Sequence, residues 1–166
     1  EDLEFYKYPN QEIISKSKVQ SLFFGYFFPW DGHRNALEAQ KKGFKFYNNI
    51  VEGTGVKYEN LDNYHTGIHD YFKFLKYGFG RTTDIMNNLY RRKKISKKEA
   101  LEKIRKYDGK FPSTYLGKSL KNILQEINIS IKEFEKICDK FTNKKIFKCD
   151  NKGKILKKYG SPIKDF

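Results

Sequence analysis

Residues that could do chemistry concentrate between 60 and 88, in the stretch NLDNYHTGIHDYFKFLKYGFGRTTDIMNN. His69 and Asp70 are adjacent there and form a polar pair suited to hydrogen bonding or proton transfer. Arg81 offers a fork of donors to a phosphate or carboxylate, and Lys76 adds a second positive charge. These residue types favour a binding site in this stretch. The alternative is an ordinary helix–helix turn with a surface arginine.

A helix, a glycine turn and a second helix are predicted to position these side chains. Apolar residues recur at the i, i+3, i+4, i+7 spacing, which predicts a helix over 68–77. Gly78 and Gly80 then break the period, and a backbone with two glycines can approach a ligand closely. Residues 82–84 are cap types that predict the start of the next helix, whose uncapped amides favour an anion. Gly78 and Gly80 are therefore candidate binding residues, and Asp84 lies at the start of the predicted second helix.

A second candidate site follows the apolar run from Val19 to Phe28, which ends at Pro29. Its nearly continuous hydrophobicity predicts a buried strand, with a buried helix as the alternative, and a helix is predicted over 33–42. Ligands of open α/β sheets bind beyond the carboxyl ends of the strands. Trp30 is therefore a candidate to stack on a ring, and Asp31 is a candidate to accept hydroxyl protons. Core filling by Trp30 and helix capping by Asp31 are the alternatives.

The remaining elements are predicted to be scaffold. A short helix is predicted over 11–17, and capping boxes begin two longer helices at Ser96 and Ser130. A further helix is predicted over 116–127, and an Asn-x-Gly turn at 150–153 predicts a hairpin. The predicted fold class is thus mainly α with a small β component (α+β), with one buried strand plus a possible hairpin.

Composition restricts the class of protein further. Basic residues number 34 against 20 acidic ones, a net charge of +14 that attracts polyanions. Lysine supplies 29 of the basic residues and arginine five, a mixture that A/T-rich codons would also produce. Cys138 and Cys149 lack CxxC spacing, and His65 and His69 lack an obvious third ligand, so no metal site is predicted. No apolar run reaches the roughly 20 residues of a membrane span, and no signal peptide is recognised, so a cytoplasmic protein without membrane insertion is predicted.

Four segments then point to a family. They are GYFFPWDGHRNALEAQKKGF at 25–44, NLDNYHTGIHDYFKFLKYGFGRTTDI at 60–85, YDGKFPSTYLGK at 107–118 and FTNKKIF at 141–147. Together and in this order they resemble the carboxyl-terminal half of the N-acetyl sugar amidotransferases. These enzymes belong to the PP-loop ATP-pyrophosphatase superfamily and serve lipopolysaccharide and flagellin glycan biosynthesis.

The resemblance implies the carboxyl-terminal part of an enzyme that activates a sugar acetamido carbonyl with ATP and Mg and admits ammonia, giving an acetamidino group. It also implies an activated sugar as substrate, with a glutaminase and a cyclase-like subunit supplying the ammonia. The residues that match motif positions of the family are Trp30, Asp31, His69, Asp70, Lys76, Arg81 and Asp84. No catalytic residue is assigned by the resemblance.

The family's phosphate loop, Ser-Gly-Gly-x-Asp-Ser, has no match in this sequence. We therefore expect a carboxyl-terminal fragment that is inactive alone, and the first residue, which is not Met, fits that expectation. The expected organisation is a single domain, 1–166. Residues 1–58 would end an α/β layer, 59–141 would form a helical subdomain, and 142–166 would form a basic tail or hairpin.

Two other functions remain open at the level of sequence. One is a basic helical module that binds nucleic acid, which the net charge and the aromatics between lysines favour. The other is a non-catalytic domain that docks a partner. No helix-turn-helix, zinc-finger or RNP pattern is present, so specific nucleic-acid binding is not expected.

Overall fold

The computed structural model describes residues 3–148, 150–151 and 156. The chain divides into two compact units, residues 1–35 and residues 36–166. The described residues contain eight α-helices and one two-stranded antiparallel hairpin. The predicted class, mainly α with a small β component, is confirmed. None of these helices is both long enough and apolar enough to cross a bilayer.

The first unit consists of short helical pieces. A 3₁₀ turn at Glu4–Tyr6 precedes α1 (Gln11–Ser17) and α2 (Phe24–Phe27), and none of the three contains a buried residue. Asn10 caps α1, since its side chain accepts from the Ile13 amide, and the predicted helix over 11–17 is confirmed. The next helix, α3 (Gly32–Lys41), confirms the helix predicted over 33–42 and runs across the unit boundary.

The strand predicted from Val19 to Phe28 is wrong. The segment contains the single turn α2, and its large side chains are exposed, Phe23 by 89% and Tyr26 by 87%. A strand needs a neighbour to complete its hydrogen bonds, and the described chain pairs strands only between 114 and 119. Hydrophobicity alone does not supply such a neighbour. The prediction of a ligand site at the carboxyl end of this strand loses its structural basis with it.

The second unit holds the remaining helices and the hairpin. The helices are α4 (Thr66–Tyr77), α5 (Arg81–Arg91), α6 (Lys97–Tyr107), α7 (Leu120–Gln125) and α8 (Ile131–Phe141), and the strands are β1 (Thr114–Tyr115) and β2 (Lys118–Ser119). The helices predicted over 68–77 and 96–107 are confirmed. Both predicted capping boxes are formed, at Ser96 with Glu99 and at Ser130 with Glu133.

Two apolar clusters organise this unit. The α4–α8 core joins α4, α7 and α8 through the buried residues Tyr71, Phe74, Leu75, Leu120, Leu124, Phe134, Cys138 and Phe147. The α5–α6 core joins α5 and α6 through Val56, Met86, Leu89 and Ala100. A smaller cluster of Val51, Tyr115 and Ile123 anchors the hairpin. A cavity lies where the elements of the first two cores meet.

The hairpin replaces the start of a predicted helix. Leu116 and Gly117 form the two-residue loop between β1 and β2, and both have positive φ, 48° and 79°. Paired positive φ values are typical of the tight turns that join antiparallel strands. The helix predicted from Leu116 therefore begins only at Leu120, where the Ser119 side chain caps it. The other predicted hairpin, at 150–153, falls largely outside the described residues, and the predicted division of the chain at 58 and 141 stays a prediction.

Candidate functional site

A cavity of about 230 Å³ lies where α4, the beginning of α5 and the segment after α6 meet. Three of the predicted site residues, Asp70, Gly80 and Arg81, line it. Residues 107–114, between α6 and the hairpin, form the opposite wall. The central stretch predicted from sequence therefore does contribute to a cavity, together with a wall that the sequence did not indicate.

Asp70 and Arg81 form the central contact of this cavity. The Arg81 Nε donates to Asp70 Oδ2 at 2.8 Å, and Nη2 donates to Asp70 Oδ1 at 2.8 Å. Asp70 is only 5% exposed, whereas the Arg81 side chain is 28% exposed. The hydrogen bonds that Arg81 donates to Asp70 raise the pKa of Arg81 above its ordinary value, although burial opposes the shift. The glycine turn at 78–80 brings these residues together from two helices.

This pairing limits the number of Arg81 donors that can bind a ligand. Two N–H groups of the guanidinium are already bonded to Asp70. A guanidinium carries five N–H donors, so three remain. Asp70 thus holds the guanidinium plane in a fixed orientation, and only the remaining donors are available to the cavity.

His69 extends the polar contact outward. Its Nδ1 lies 3.1 Å from Asp70 Oδ1, so the predicted pairing of His69 with Asp70 is present. The imidazole is 74% exposed and does not line the cavity. Asp70 is therefore the shared acceptor between a solvent-facing imidazole and a half-buried guanidinium.

Asp108 closes the amino-terminal end of α5. It is 2% exposed, and its Oδ2 accepts from the Gly80 amide at 2.9 Å and from the Thr83 hydroxyl at 2.6 Å. Its Oδ1 is buried and has no hydrogen-bond partner among the residues that the structure describes. A Cβ at position 80 would lie 2.5 Å from that oxygen, so only glycine fits there. The prediction that residues 82–84 cap this helix is wrong, because Gly80 is the N-cap and Asp108 supplies the acceptor.

The hairpin wall is tied to the cavity by a second carboxylate. Glu52 accepts from the Thr114 hydroxyl at 3.0 Å and from the Leu116 amide at 3.1 Å. The buried Tyr115 hydroxyl donates to the Asn60 carbonyl at 3.2 Å, and burial raises the pKa of this phenol. Tyr115 therefore stays protonated and acts as a donor. Sequence reasoning did not identify Glu52 or Tyr115, because both contacts join segments more than 50 residues apart.

Glu59 lies beside the Asp70–Arg81 pair. Burial raises the pKa of this carboxyl above its ordinary value, the Arg81 charge lowers it, and the Asp70 charge raises it. The net direction is upward because the desolvation of the carboxylate outweighs its attraction to Arg81. Arg81 is thus set among several acidic groups.

The other predicted site residues lie elsewhere. The Lys76 Nζ stands 5.5 Å from the centre of the Phe141 ring, and Asp84 forms an ion pair with Lys73. Gly78 ends α4 in the left-handed conformation, with φ 79°. None of Lys76, Gly78 and Asp84 lines the cavity. Substrate binding by these three residues stays a prediction.

Trp30 and Asp31 belong to the first unit. Trp30 is 66% exposed, so it does not fill a core. The Asp31 Oδ1 accepts from the Arg34 amide at 3.1 Å, and the Asp31 carbonyl accepts from the Asn35 amide at 2.8 Å. Both are contacts of a residue that caps α3, which is the alternative left open for Asp31.

The cavity lining does not fit a magnesium nucleotide. Its charged groups are three carboxylates, on Glu52, Asp70 and Asp108, against two cations, on Arg81 and Lys110. A triphosphate would require an excess of cationic or amide donors. Within the described part of the chain, no group of three or more His, Cys, Asp or Glu side chains could hold a metal ion. The donor set suits an uncharged, hydroxyl-bearing ligand better.

Comparison with known proteins finds a family model that matches the second unit. A family model described as "LPS biosynthesis protein WbpG-like, C-terminal domain" matches residues 44–160. This range covers well over half of the chain and includes every residue of the cavity. A search of curated proteins finds no match.

Proposed function

Since the chain belongs to the WbpG-like family of lipopolysaccharide-biosynthesis proteins, we propose that it is the sugar-binding part of an ATP-dependent amidotransferase. The reaction would replace the carbonyl oxygen of a sugar N-acetyl group with nitrogen from ammonia, giving an acetamidino group. The resemblance of four long segments to the N-acetyl sugar amidotransferases supports this finer assignment. The sugar would be nucleotide-linked or otherwise activated.

The observation that carries the proposal is the mixed chemistry of the cavity wall. Tyr107 and Phe111 contribute aromatic rings, and Ser113 and Thr114 contribute hydroxyls. A sugar ring has apolar C–H faces and a rim of hydroxyls, so a pocket with both kinds of group suits it. The partly exposed Phe111 also packs edge-on against Tyr71, at 5.6 Å between ring centres, which holds its ring in place.

Arg81 would orient the substrate in this arrangement. Asp70 fixes the back of the guanidinium through two hydrogen bonds, so the remaining N–H groups need little reorganisation to bind. They would donate to a sugar hydroxyl or to the acetamido carbonyl oxygen. Such donation would favour ammonia attack by drawing electron density from the carbonyl carbon.

Activation by ATP lies outside this assignment, because the charges that line the cavity do not suit a magnesium nucleotide. We assign only substrate binding to the cavity. The ATP with its Mg, the glutaminase and the cyclase-like subunit remain expectations for the full-length enzyme. The chain alone would bind the sugar without converting it.

Saturation-transfer NMR on the chain would test the proposal, with N-acetylglucosamine and UDP-N-acetylglucosamine as probes. We expect transfer to the acetamido methyl protons and ring protons of both. Arg81→Lys keeps the charge but loses the fork, and the loss of one charge-assisted hydrogen bond of about 1.5–3 kcal/mol predicts about 10- to 100-fold weaker binding. Arg105→Lys, an exposed arginine of α6 outside the cavity, is the matched control.

Two outcomes would contradict the proposal. One is a folded chain that transfers saturation to neither probe at millimolar concentration. The other is an equal loss of binding in the Arg81→Lys and Arg105→Lys variants, which would mean that the sugar associates with the surface charge and not with the cavity.

A further inference from the structure

A basic corner lies between α5 and α6, far along both helices from the cavity. We use this name for residues 91–98, RRKKISKK, of which six are basic and none is acidic. All of them except Ile95 are exposed. Arg91, Lys93, Lys94, Lys97 and Lys98 form no ion pair with a described residue. The corner therefore carries an uncompensated positive charge.

Overall lysine content does not account for this corner. On α8 the exposed basic residues are balanced one for one by exposed acidic residues: Lys132, Lys136 and Lys140 against Glu133, Glu135 and Asp139. A lysine excess produced by composition alone would be spread over both helices. Instead, residues 91–98 carry six basic residues and no acidic one where α5 and α6 join, while residues 142–166 carry a comparable excess of eight lysines over two aspartates.

The corner also contradicts local folding preferences. The Lys94 amide bonds to the Leu89 carbonyl and the Lys93 amide to the Tyr90 carbonyl, the paired bonds of a Schellman motif. Lys93 occupies the position of this motif where glycine is favoured, and its φ is 56°. Lys97 and Lys98 occupy the first turn of α6, where the helix dipole disfavours cations. Residues that break local rules at several adjacent positions indicate a function.

The cations are carried on a fixed backbone. Ile95 packs against the α5–α6 core, and the capping box of Ser96 and Glu99 holds the chain immediately after it. Two partly exposed apolar side chains flank the lysines: Tyr90 is 46% exposed and Leu101 is 40% exposed. Leu101 lies three and four residues after Lys98 and Lys97, so all three share one face of α6.

We propose that the basic corner docks this protein on an anionic lipid bilayer. Clustered cations beside exposed apolar side chains are the pattern that binds the surface of an anionic membrane without crossing it. Lysine predominates, and it acts as a point charge that needs no defined partner geometry. A nucleic-acid surface would favour arginine forks and several stacking rings, whereas Tyr90 is the one exposed aromatic residue in or next to the corner. The family's role in lipopolysaccharide biosynthesis fits this choice, since lipopolysaccharide is anchored in a membrane.

Co-sedimentation of the whole chain with lipid vesicles would test the proposal. The vesicles would contain phosphatidylcholine alone or with about 30 mol % phosphatidylglycerol, at about 0.1 M salt. We expect binding to the anionic vesicles only, falling as salt increases. The triple variant Lys93→Gln, Lys94→Gln, Lys97→Gln should bind about 100-fold more weakly, because each lysine near such a surface contributes a factor of about five.

The matched control removes three lysines from α8, as Lys132→Gln, Lys136→Gln and Lys140→Gln, with helix content checked by circular dichroism. It should bind the anionic vesicles within about threefold of the original chain if the effect is local. An equal loss in both triple variants, or no binding by the original chain, would overturn the proposal. Tighter binding to an oligonucleotide duplex than to the vesicles in competition would also overturn it, in favour of a nucleic-acid surface.

Discussion

Removing Arg81 should destabilise the fold as well as weaken binding. Arg81→Ala would leave Asp70, which is 5% exposed, as a carboxylate that has lost two charge-assisted hydrogen bonds of 2.8 Å. Loss of one partner from a fully buried pair costs about 3–5 kcal/mol, because the other charge remains desolvated. Arg81 is 28% exposed and His69 stays beside Asp70. We therefore expect a smaller cost, about 2–4 kcal/mol in the free energy of unfolding.

A double-mutant cycle measured by urea unfolding would isolate this contact. The variants are Arg81→Ala, Asp70→Ala and the double variant, and the expected coupling energy is about 2 kcal/mol or more. In a thermal scan the single Arg81→Ala variant should melt about 5–15 °C lower, given the size of the chain. The pair of Lys118 and Glu126, whose side chains are 29% and 50% exposed, is the control within the same unit. Its coupling energy should be much smaller, because water solvates both charges.

The result that would refute this reasoning is a coupling energy for Asp70 and Arg81 no larger than that of the control pair. Water would then be solvating both charges, and the pair would contribute nothing specific to the fold.

The loss of stability also affects how binding data on the Arg81 variants are interpreted. Any loss of sugar binding in Arg81→Ala has to be corrected for unfolding, whereas Arg81→Lys retains a charge beside Asp70 and gives the cleaner measure of recognition.

Three further predictions concern stability. Burial raises the pKa of Glu59 above 4.5, so the folded state binds more protons than the unfolded state and the stability of the original chain falls as pH rises through this range. Glu59→Gln should therefore be the more stable form at pH 7, with the difference vanishing well below pH 4.5. Glu99→Gln should show the opposite sign, because hydrogen bonds from Ser96 lower the pKa of Glu99. Gly67→Ala should cost about 1–3 kcal/mol in urea unfolding despite the better helix propensity of alanine, since the new Cβ would lie 2.5 Å from the buried Tyr115 ring. Lys93→Gly should raise the free energy of unfolding by about 0.5–1 kcal/mol, since glycine adopts positive φ without strain, while weakening vesicle binding.

Signals confined to a few neighbouring residues predicted the helices well. The capping boxes at Ser96 and Ser130 each combine a hydroxyl with a glutamate three residues later, and both helices form where the pattern predicts. The apolar spacing over 68–77 likewise gave α4 within two residues. Such signals suffice because the physical contacts that they encode are themselves local.

Contacts between distant residues account for the errors. The strand from Val19 to Phe28 failed because apolar composition does not say which segment would pair with it. The helix predicted from Leu116 begins four residues later, because the apolar spacing after Gly117 does not show that Leu116 and Gly117 form the loop of a hairpin. The capping of α5 by Asp108 joins residues 28 positions apart, and no local pattern indicates it.

Similarly, Asp70 and Arg81 were both predicted from the sequence as binding residues, but the hydrogen bonds between them were not predicted. Their separation of 11 residues spans a glycine turn whose geometry is fixed only by the packing around it. Some residues of the candidate site were therefore predicted from the sequence, but the contacts between them were not. Glu52 and Tyr107–Thr114 completed it from outside the stretch that had been singled out.

Polar contacts connect the α4–α8 core to the α5–α6 core, and this polar seam has a consequence for motion. α4 packs mainly with α8, and α5 packs mainly with α6. Between them run two charged contacts from α4 to α5: Asp70 with Arg81 and Lys73 with Asp84. Parting such contacts exposes polar groups that water can solvate, whereas parting either core would expose hydrocarbon.

Opening along the seam should therefore require less free energy than unfolding either helix pair. In hydrogen exchange, the backbone amides of α4 and α8 would then lose protection together as one cooperative group, and those of α5 and α6 would do so as another. A ligand held in the cavity touches both groups at once, so its binding free energy would be added to the free energy of opening. Entry and release would follow the rate of this opening, which makes the seam the expected gate for the ligand.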